Sequence, residues 1–253
     1  MRTIVTRPSA KINLVLRVGP ARPDGFHGVQ TLLQSIDLAD TLRVTARSGP
    51  LTLACDAPDV PTDERNLVWR AARALWTAAG RAGEARDVAI HLTKRIPHAA
   101  GLGGGSADAA AALASLNRLW RLGLPVARLR EAAASIGADV PFFLVGGTAL
   151  GAGKGEDLYP VTDVRRLGLV IVKPDIGVGT AEAYGWVDAD RAAGQPAVLD
   201  DRPRVLKVGW ASGPLVVAND MEAPVVRRHP EIGRLIEACL AAGADVAAMS
   251  GSG

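Results

Sequence analysis

The stretch IPHAAGLGGGSADAAAAL, residues 96–113, narrows what this chain can fold into more than any other. A proline and the loop glycines Gly101, Gly103, Gly104 and Gly105 run into Ser106 and an alanine-rich helix. Glycine lets the backbone take positive φ and come close to a ligand. A helix that begins there offers unpaired N–H groups and the positive end of its dipole. Together these make an anion site, and a phosphate chain is the common biological anion of that shape. The same residues also read as a glycine-rich turn with a serine N-cap, and the loop alone does not separate the two.

Counting excludes the familiar phosphate motifs. A dinucleotide fingerprint starting at Gly101 needs glycine where the chain has Ser106. A Walker loop ending at Lys154 needs glycine at 148 and Ser or Thr at 155, where Thr148 and Gly155 stand.

The 253 residues suffice for one large or two modest domains, and 48% hydrophobic with 22% charged residues reads as soluble and globular. The net charge of +3 comes without a Lys/Arg cluster long enough to track a nucleic-acid backbone. Cys55 and Cys239 lie far apart, which argues for a reducing compartment and against a disulfide framework or structural zinc. There is no membrane-length apolar run and no signal-peptide core at the start, so the expected location is the cytoplasm.

Periodicity predicts a strand over Lys11–Val18 and a hairpin of Thr41–Ala46 with Leu51–Ala54 turning at Ser48-Gly49-Pro50. A helix capped by Asp63 is expected to run to about Ala79 and bury Leu67, Ala71, Ala74 and Leu75. Asp87–Thr93 reads as the strand that delivers the glycine loop. After it, Ala109, Leu113, Leu116 and Trp120 fall at helical spacing. Pro125 opens a further helix that Gly137 ends. In the second half Leu167–Val172 and Asp245–Met249 read as strands, and Thr180–Val187 and Glu231–Ala242 as helices. A composition break at Gly151-Ala152-Gly153 sets a domain boundary near residue 155.

Three groups of residues have chemistry to offer. The chain has five lysines against 24 arginines, and Lys11 stands inside a strand. It suits a phosphoryl oxygen or a carboxylate partner, or is simply an exposed edge-strand lysine. Asp139, in GADVPFF, is either the N-cap of a short turn or a general base taking a proton from an attacking hydroxyl. Phe26-His27, in a glycine-bounded turn, either anchor the loop or stack on and hydrogen-bond a flat ring. His91, His98 and His229 lack ligand spacing, so no metal site is expected from protein ligands alone.

In this order the pieces resemble the GHMP kinase superfamily. Three motifs carry the resemblance: PSAKINLVLRVGPARPDGFHGVQTLLQSIDLADTL, IPHAAGLGGGSADAAAAL and SIGADVPFF. Arg65-Asn66-Leu67, and Pro174 through Tyr184, are smaller matches. The GLGGGS form is similar to the branch that phosphorylates the 2-hydroxyl of a cytidine-diphosphate-linked methylerythritol, in the non-mevalonate route to isoprenoid precursors. The resemblance implies an α+β, two-domain fold. Residues 1–155 would form an N-terminal ATP-binding domain of ribosomal-protein-S5-like α/β type. Residues 156–253 would form a ferredoxin-like C-terminal domain, with the active site in the cleft between them. It also implies the site. Lys11 and Asp139 would be the catalytic pair and Asn13 a polar contact beside the reacting end. Phe26 and Tyr184 would sandwich the cytosine, His27 would hydrogen-bond its edge, and Thr180 would lie near the substrate. Pro97, Gly101, Leu102, Gly103, Gly104, Gly105, Ser106 and Ala107 would wrap the phosphates of ATP, with Asn66 and Lys94 nearer the adenosine. Mg²⁺ would arrive with ATP and touch Ser106, while Asp108 is placed to repel phosphate. A monomer or weak homodimer that binds neither nucleic acid nor membrane is expected.

Two departures stand out. Phe26 takes a place where tyrosine is common, which keeps the stacking face and loses a hydroxyl. The third glycine motif, Met249–Gly253, is normally followed by another strand–helix unit, so a truncated C-terminal domain is expected. The rivals are a kinase for another small alcohol, mevalonate or homoserine, and a non-catalytic nucleotide-binding regulator. Phe26, His27 and Tyr184 argue against the first, because those acceptors carry no base. Retention of Lys11 with Asp139 argues against the second.

Overall fold

The structure, a computed structural model, describes residues 2–98, 100–153, 155, 157–164, 167–198, 204–210 and 213–252. The first half runs β1 (Thr3–Thr6), β2 (Ser9–Ala21), β3 (His27–Ala39), β4 (Thr41–Pro50), β5 (Thr52–Cys55), α1 (Leu67–Ala78), β6 (Arg86–Thr93), α2 (Gly104–Leu119), α3 (Val126–Ile136) and α4 (Phe142–Val145). There follow β7 (Thr148–Ala152), β8 (Asp157–Val161), α5 (Thr180–Ala192), β9 (Val205–Trp210), β10 (Gly213–Val216), β11 (Ala218–Asn219), α6 (Glu222–Arg228) and α7 (Pro230–Ala241). This is the expected mixed α+β class. No helix among the described residues is long and apolar enough to cross a membrane.

The chain divides into two compact units of interleaved segments. The first takes Met1–Lys11, Ser35–His98 and Gly103–Gly146. Its sheet has the order β1-β4-β6-β5. Strand alternation turns Leu42 and Val44 of β4, and Val88, Ile90 and Leu92 of β6, to one buried face. Against that face lie Val68, Ala71, Ala72 and Leu75 of α1 and Ala109, Ala112, Leu113 and Leu116 of α2. Each large apolar side chain buried this way contributes about 1.5–3 kcal/mol.

The second unit takes Ile12–Gln34, Ala99–Leu102 and Gly147–Gly253. Its five-stranded sheet has the order β11-β2-β3-β7-β8. Thr31 to Gln34 pair antiparallel with Gly151 to Thr148, and Ala218-Asn219 pair parallel with Val15-Leu16. Leu16, Val18 and Val29 pack there on Ala183 and Val187 of α5, Val225 of α6, and Ile232 and Ile236 of α7.

Four expectations from the sequence are corrected. The expected hairpin does not form, because β6 lies between its two arms. β4 pairs antiparallel with one edge of β6 and β5 pairs parallel with the other. Helix α1 is capped by Asn66, whose Oδ1 accepts from the Val68 N–H at 2.8 Å. Asp63 instead holds the Arg65 guanidinium. Leu167–Val172 is not a strand, and Leu169 and Val170 are exposed. An apolar run becomes a strand only when a neighbour takes up its backbone groups, and no described strand does so here. Asp245–Met249 is irregular because side chains bind its backbone. The Met249 N–H donates to Glu222 Oε2 at 2.7 Å, and Asn219 Nδ2 donates to the Met249 carbonyl at 2.8 Å.

Candidate active site

In the first unit the glycine turn ends at Gly103, the N-cap of α2, with φ of +67°. A Cβ at Gly103 would stand 2.7 Å from Phe143 Cζ and 3.2 Å from Lys11 Cγ, so both backbone angle and space demand glycine. The helix begins at Gly104. Gly104 and Gly105 are therefore helical, and Ser106 lies in the first turn instead of capping it. The Ala107 N–H donates to the Gly103 carbonyl at 2.9 Å. The N–H groups of Gly104, Gly105 and Ser106 have no carbonyl partner within the helix and share the positive end of its dipole. Leu102 and Ala107 are buried, and Pro97 is half-buried beside the turn.

Replacing Gly103 by alanine is expected to cost about 1–2 kcal/mol for a left-handed residue and a further ~1–3 kcal/mol for overpacking. At Gly105, a helical position, a Cβ meets only Leu67 Cδ1, at 3.7 Å, so Gly105→Ala should cost nothing and can raise stability by up to about 1 kcal/mol. Urea denaturation of the two variants checks the contrast.

Lys11, on β2, is only 5% exposed, which rules out a solvated edge lysine. Its Nζ lies 3.7 Å from Asp139 Oδ2, an ion pair longer than a hydrogen bond. The Asp139 carboxylate is half-exposed. Its main-chain carbonyl accepts from the Phe142 N–H at 3.2 Å, and no side chain caps α4. The carboxylate is thus not spent on capping. A buried ammonium beside an accessible carboxylate can hold negative charge and accept a proton.

Two of the residues expected near adenosine have structural engagements. Asn66 caps α1 through Oδ1 and donates from Nδ2 to the Pro61 carbonyl at 2.7 Å. Lys94 Nζ bridges two buried carboxylates, Asp40 Oδ2 and, at 2.8 Å, Asp108 Oδ2. Asp40 Oδ1 also accepts from the N–H groups of Arg95 and Ile96 at the base of the glycine turn. Burial would lower the Lys94 ammonium, but Asp108 and Asp40 together outweigh it and hold its pKa above the ordinary value. Burial pushes the Asp108 carboxyl up to about 7, although the Lys94 charge pulls it down. Its Oδ1 is buried and has no hydrogen-bond partner among the described residues. Asp108 is therefore not a carboxylate facing a phosphate, as its position in the sequence suggested. It is 1% exposed and tied to Lys94.

In the second unit Gly101 also has φ of +67°, and a Cβ there would stand 2.4 Å from the Ser250 carbonyl oxygen. The glycine motif over residues 249–252 is held against it, with Asn219 Nδ2 donating to the Gly251 carbonyl at 2.9 Å. Gly253 lies outside the described residues. Ser250 Oγ accepts from the Asn13 N–H at 3.1 Å, and Asn13 Nδ2 donates to Thr31 Oγ1 at 2.8 Å. Thr180 Oγ1 is 3.1 Å from Ser252 Oγ.

His27 opens β3 and stacks on Tyr184 of α5, with ring centres 4.8 Å apart and planes 16° apart. One face of Tyr184 is therefore covered by His27. His27 Nε2 lies 2.9 and 3.0 Å from the two Asp188 oxygens. Phe26 is 56% exposed at the tip of the preceding turn. Asp40 and Asp188 are the residues that sequence reasoning missed, and Asp108 is the one it placed wrongly. Asp188 had a signal, since it stands four residues after Tyr184 on a helix and so shares its face.

A shallow groove between α1 and α3, lined by Arg70, Arg73 and Arg128, shares no residue with any of these groups.

Residues 66–147, from the cap of α1 through Asp139, match the family model described as GHMP kinases N terminal domain. A 4-diphosphocytidyl-2-C-methyl-D-erythritol kinase of Synechococcus sp. (strain JA-3-3Ab) is 46% identical over 262 residues, spanning 99% of this chain and 82% of that protein. One from Pelotomaculum thermopropionicum is 45% identical over 251 residues, spanning 96% of this chain and 84% of that protein. The crystal structure of a 4-(cytidine 5'-diphospho)-2C-methyl-D-erythritol kinase matches with a TM-score of 0.72 and 33% identity, over 99% of this chain and 87% of that one. The chain belongs to the GHMP kinases and, among them, to the 4-diphosphocytidyl-2-C-methyl-D-erythritol kinase family.

Proposed function

We propose that this chain transfers the terminal phosphoryl group of ATP to the 2-hydroxyl of 4-diphosphocytidyl-2-C-methyl-D-erythritol, a step in making isoprenoid precursors. The Lys11–Asp139 pair carries the reading, because it joins a proton acceptor to a buried cation next to the glycine turn. Asp139 accepts the proton of the attacking hydroxyl. Lys11 keeps that carboxylate oriented and balances negative charge on the phosphoryl oxygens. The start of α2 suits a phosphate chain: its amides lack helical partners and its glycines leave no side chain in the way. Bound with Mg²⁺, ATP supplies the phosphoryl group in an electrostatically neutralised form, and Ser106 is the hydroxyl this chain offers to the ion. Pro97, Gly101, Leu102 and Ala107 shape the turn, Lys94 braces it through Asp40, and Asn66 serves the adenosine side from the cap of α1. Asn13 and Thr180 serve the substrate's reacting side, and Phe26, His27 and Tyr184 its base. In this reading the enzyme works in the cytoplasm as a monomer or weak homodimer.

ADP release with this substrate, with mevalonate and with homoserine tests the reading. Release stimulated by the cytidylyl alcohol alone is expected. No stimulation by it, or a stronger one by mevalonate or homoserine, overturns the reading.

A further inference from the structure

We propose that Asp188 is a positioning residue that fixes the His27 proton on Nε2, and so makes the site choose cytosine over uracil. The inference rests on the reading above that His27 meets the substrate's base. Its physical basis is separate. Asp188 and Tyr184 stand one helical turn apart on α5, and both reach the His27 ring, one at its edge and one at its face. The His27 side chain is 8% exposed, so its orientation is set by these two neighbours. An ionised carboxylate only accepts hydrogen bonds, so the nitrogen facing it must be the N–H. In the neutral ring the lone pair then sits on Nδ1. No described residue hydrogen-bonds Nδ1.

An acceptor at Nδ1 pairs with the exocyclic amino group of cytosine. The same position in uracil is a carbonyl oxygen, and two lone pairs then face each other with no hydrogen between them. A site built to bond an N–H rejects an analogue lacking it far more strongly than an apolar pocket rejects a missing methylene. Aromatic stacking alone could not make this choice, because both pyrimidines present a similar π face.

The test compares kcat/KM for 4-diphosphocytidyl-2-C-methyl-D-erythritol and its uridylyl counterpart in the parental protein, Asp188→Asn and Asp188→Ala. The parental protein should prefer the cytidylyl substrate by at least about 100-fold. Asp188→Ala should lose about tenfold or more of that preference, through KM for the cytidylyl substrate with kcat little changed, whereas Asp188→Asn, whose Oδ1 still accepts from Nε2–H, should keep most of it. Nitrogen-15 spectra of the parental protein should show the His27 proton on Nε2. A proton on Nδ1, or an undiminished preference in an active Asp188→Ala enzyme, overturns the assignment to Asp188 and leaves the kinase reading intact. A parental protein that phosphorylates neither substrate overturns both.

Discussion

Asp139→Ala is expected to lower kcat by about 10²–10⁴, the usual range for a positioned general base, with KM for ATP close to the parental value. Asp139→Asn should fall as far, because the amide keeps the shape of the side chain but cannot take up a proton. Neither change should disturb the fold. The carboxylate is half-exposed and 3.7 Å from its nearest cation, and the turn it begins is held by its main chain. Exposed positions of this kind usually change stability by less than ~0.5 kcal/mol. Steady-state kinetics and a thermal melt on the same preparations separate the two effects. An Asp139→Asn enzyme within tenfold of the parental kcat would remove the residue from the proton transfer and leave the Lys11 contact merely structural.

The Lys11–Asp139 pair was legible for a local reason and uncertain for a long-range one. Lys11 inside a strand and Asp139 after a helix-ending glycine each had a bland alternative, and only folding decides whether residues so far apart meet. The α1 and β6 periodicities and the helix after the glycine turn were visible, because burial repeats along the segment itself. The 13-residue β3 was not identified, although it positions His27 at its first residue. The hairpin failed because strand adjacency is decided by a third strand, β6, which lies more than 30 residues along the chain. Leu167–Val172 looked like a buried strand because the pattern reports hydrophobicity and says nothing of partners. Lys94 read as a ligand contact because its carboxylates lie 54 and 14 residues away in sequence, on β3's exit and inside α2.

That buried triad gives the largest expected stability effects. With Lys94 present, two buried carboxylates share one ammonium, and Asp40 also receives the backbone N–H groups below the glycine turn. Lys94→Met leaves the carboxylates facing each other without a cation. Removing one partner of a buried ion pair typically costs ~3–5 kcal/mol, and the loss should be greater at pH 8 than at pH 5.5, where Asp108 carries a proton. The sign of the pH dependence follows from the raised Asp108 pKa. Between its ordinary value of 3.8 and about 7, the folded protein retains a proton that the unfolded chain has released. Unfolding therefore sheds a proton in that window, and this group makes stability fall as pH rises, by at most about 1.4 kcal/mol per unit. Above about 7 its contribution is flat. Asp108→Asn removes the slope and leaves Lys94 paired with Asp40, so that variant should be at least as stable as the parent at pH 8. Urea midpoints at pH 5.5 and 8 for the parent, Lys94→Met and Asp108→Asn measure all three effects. A Lys94→Met protein as stable as its parent, or an Asp108→Asn protein that keeps the parental pH slope, would show that the charge of this triad does not hold the base of the glycine turn.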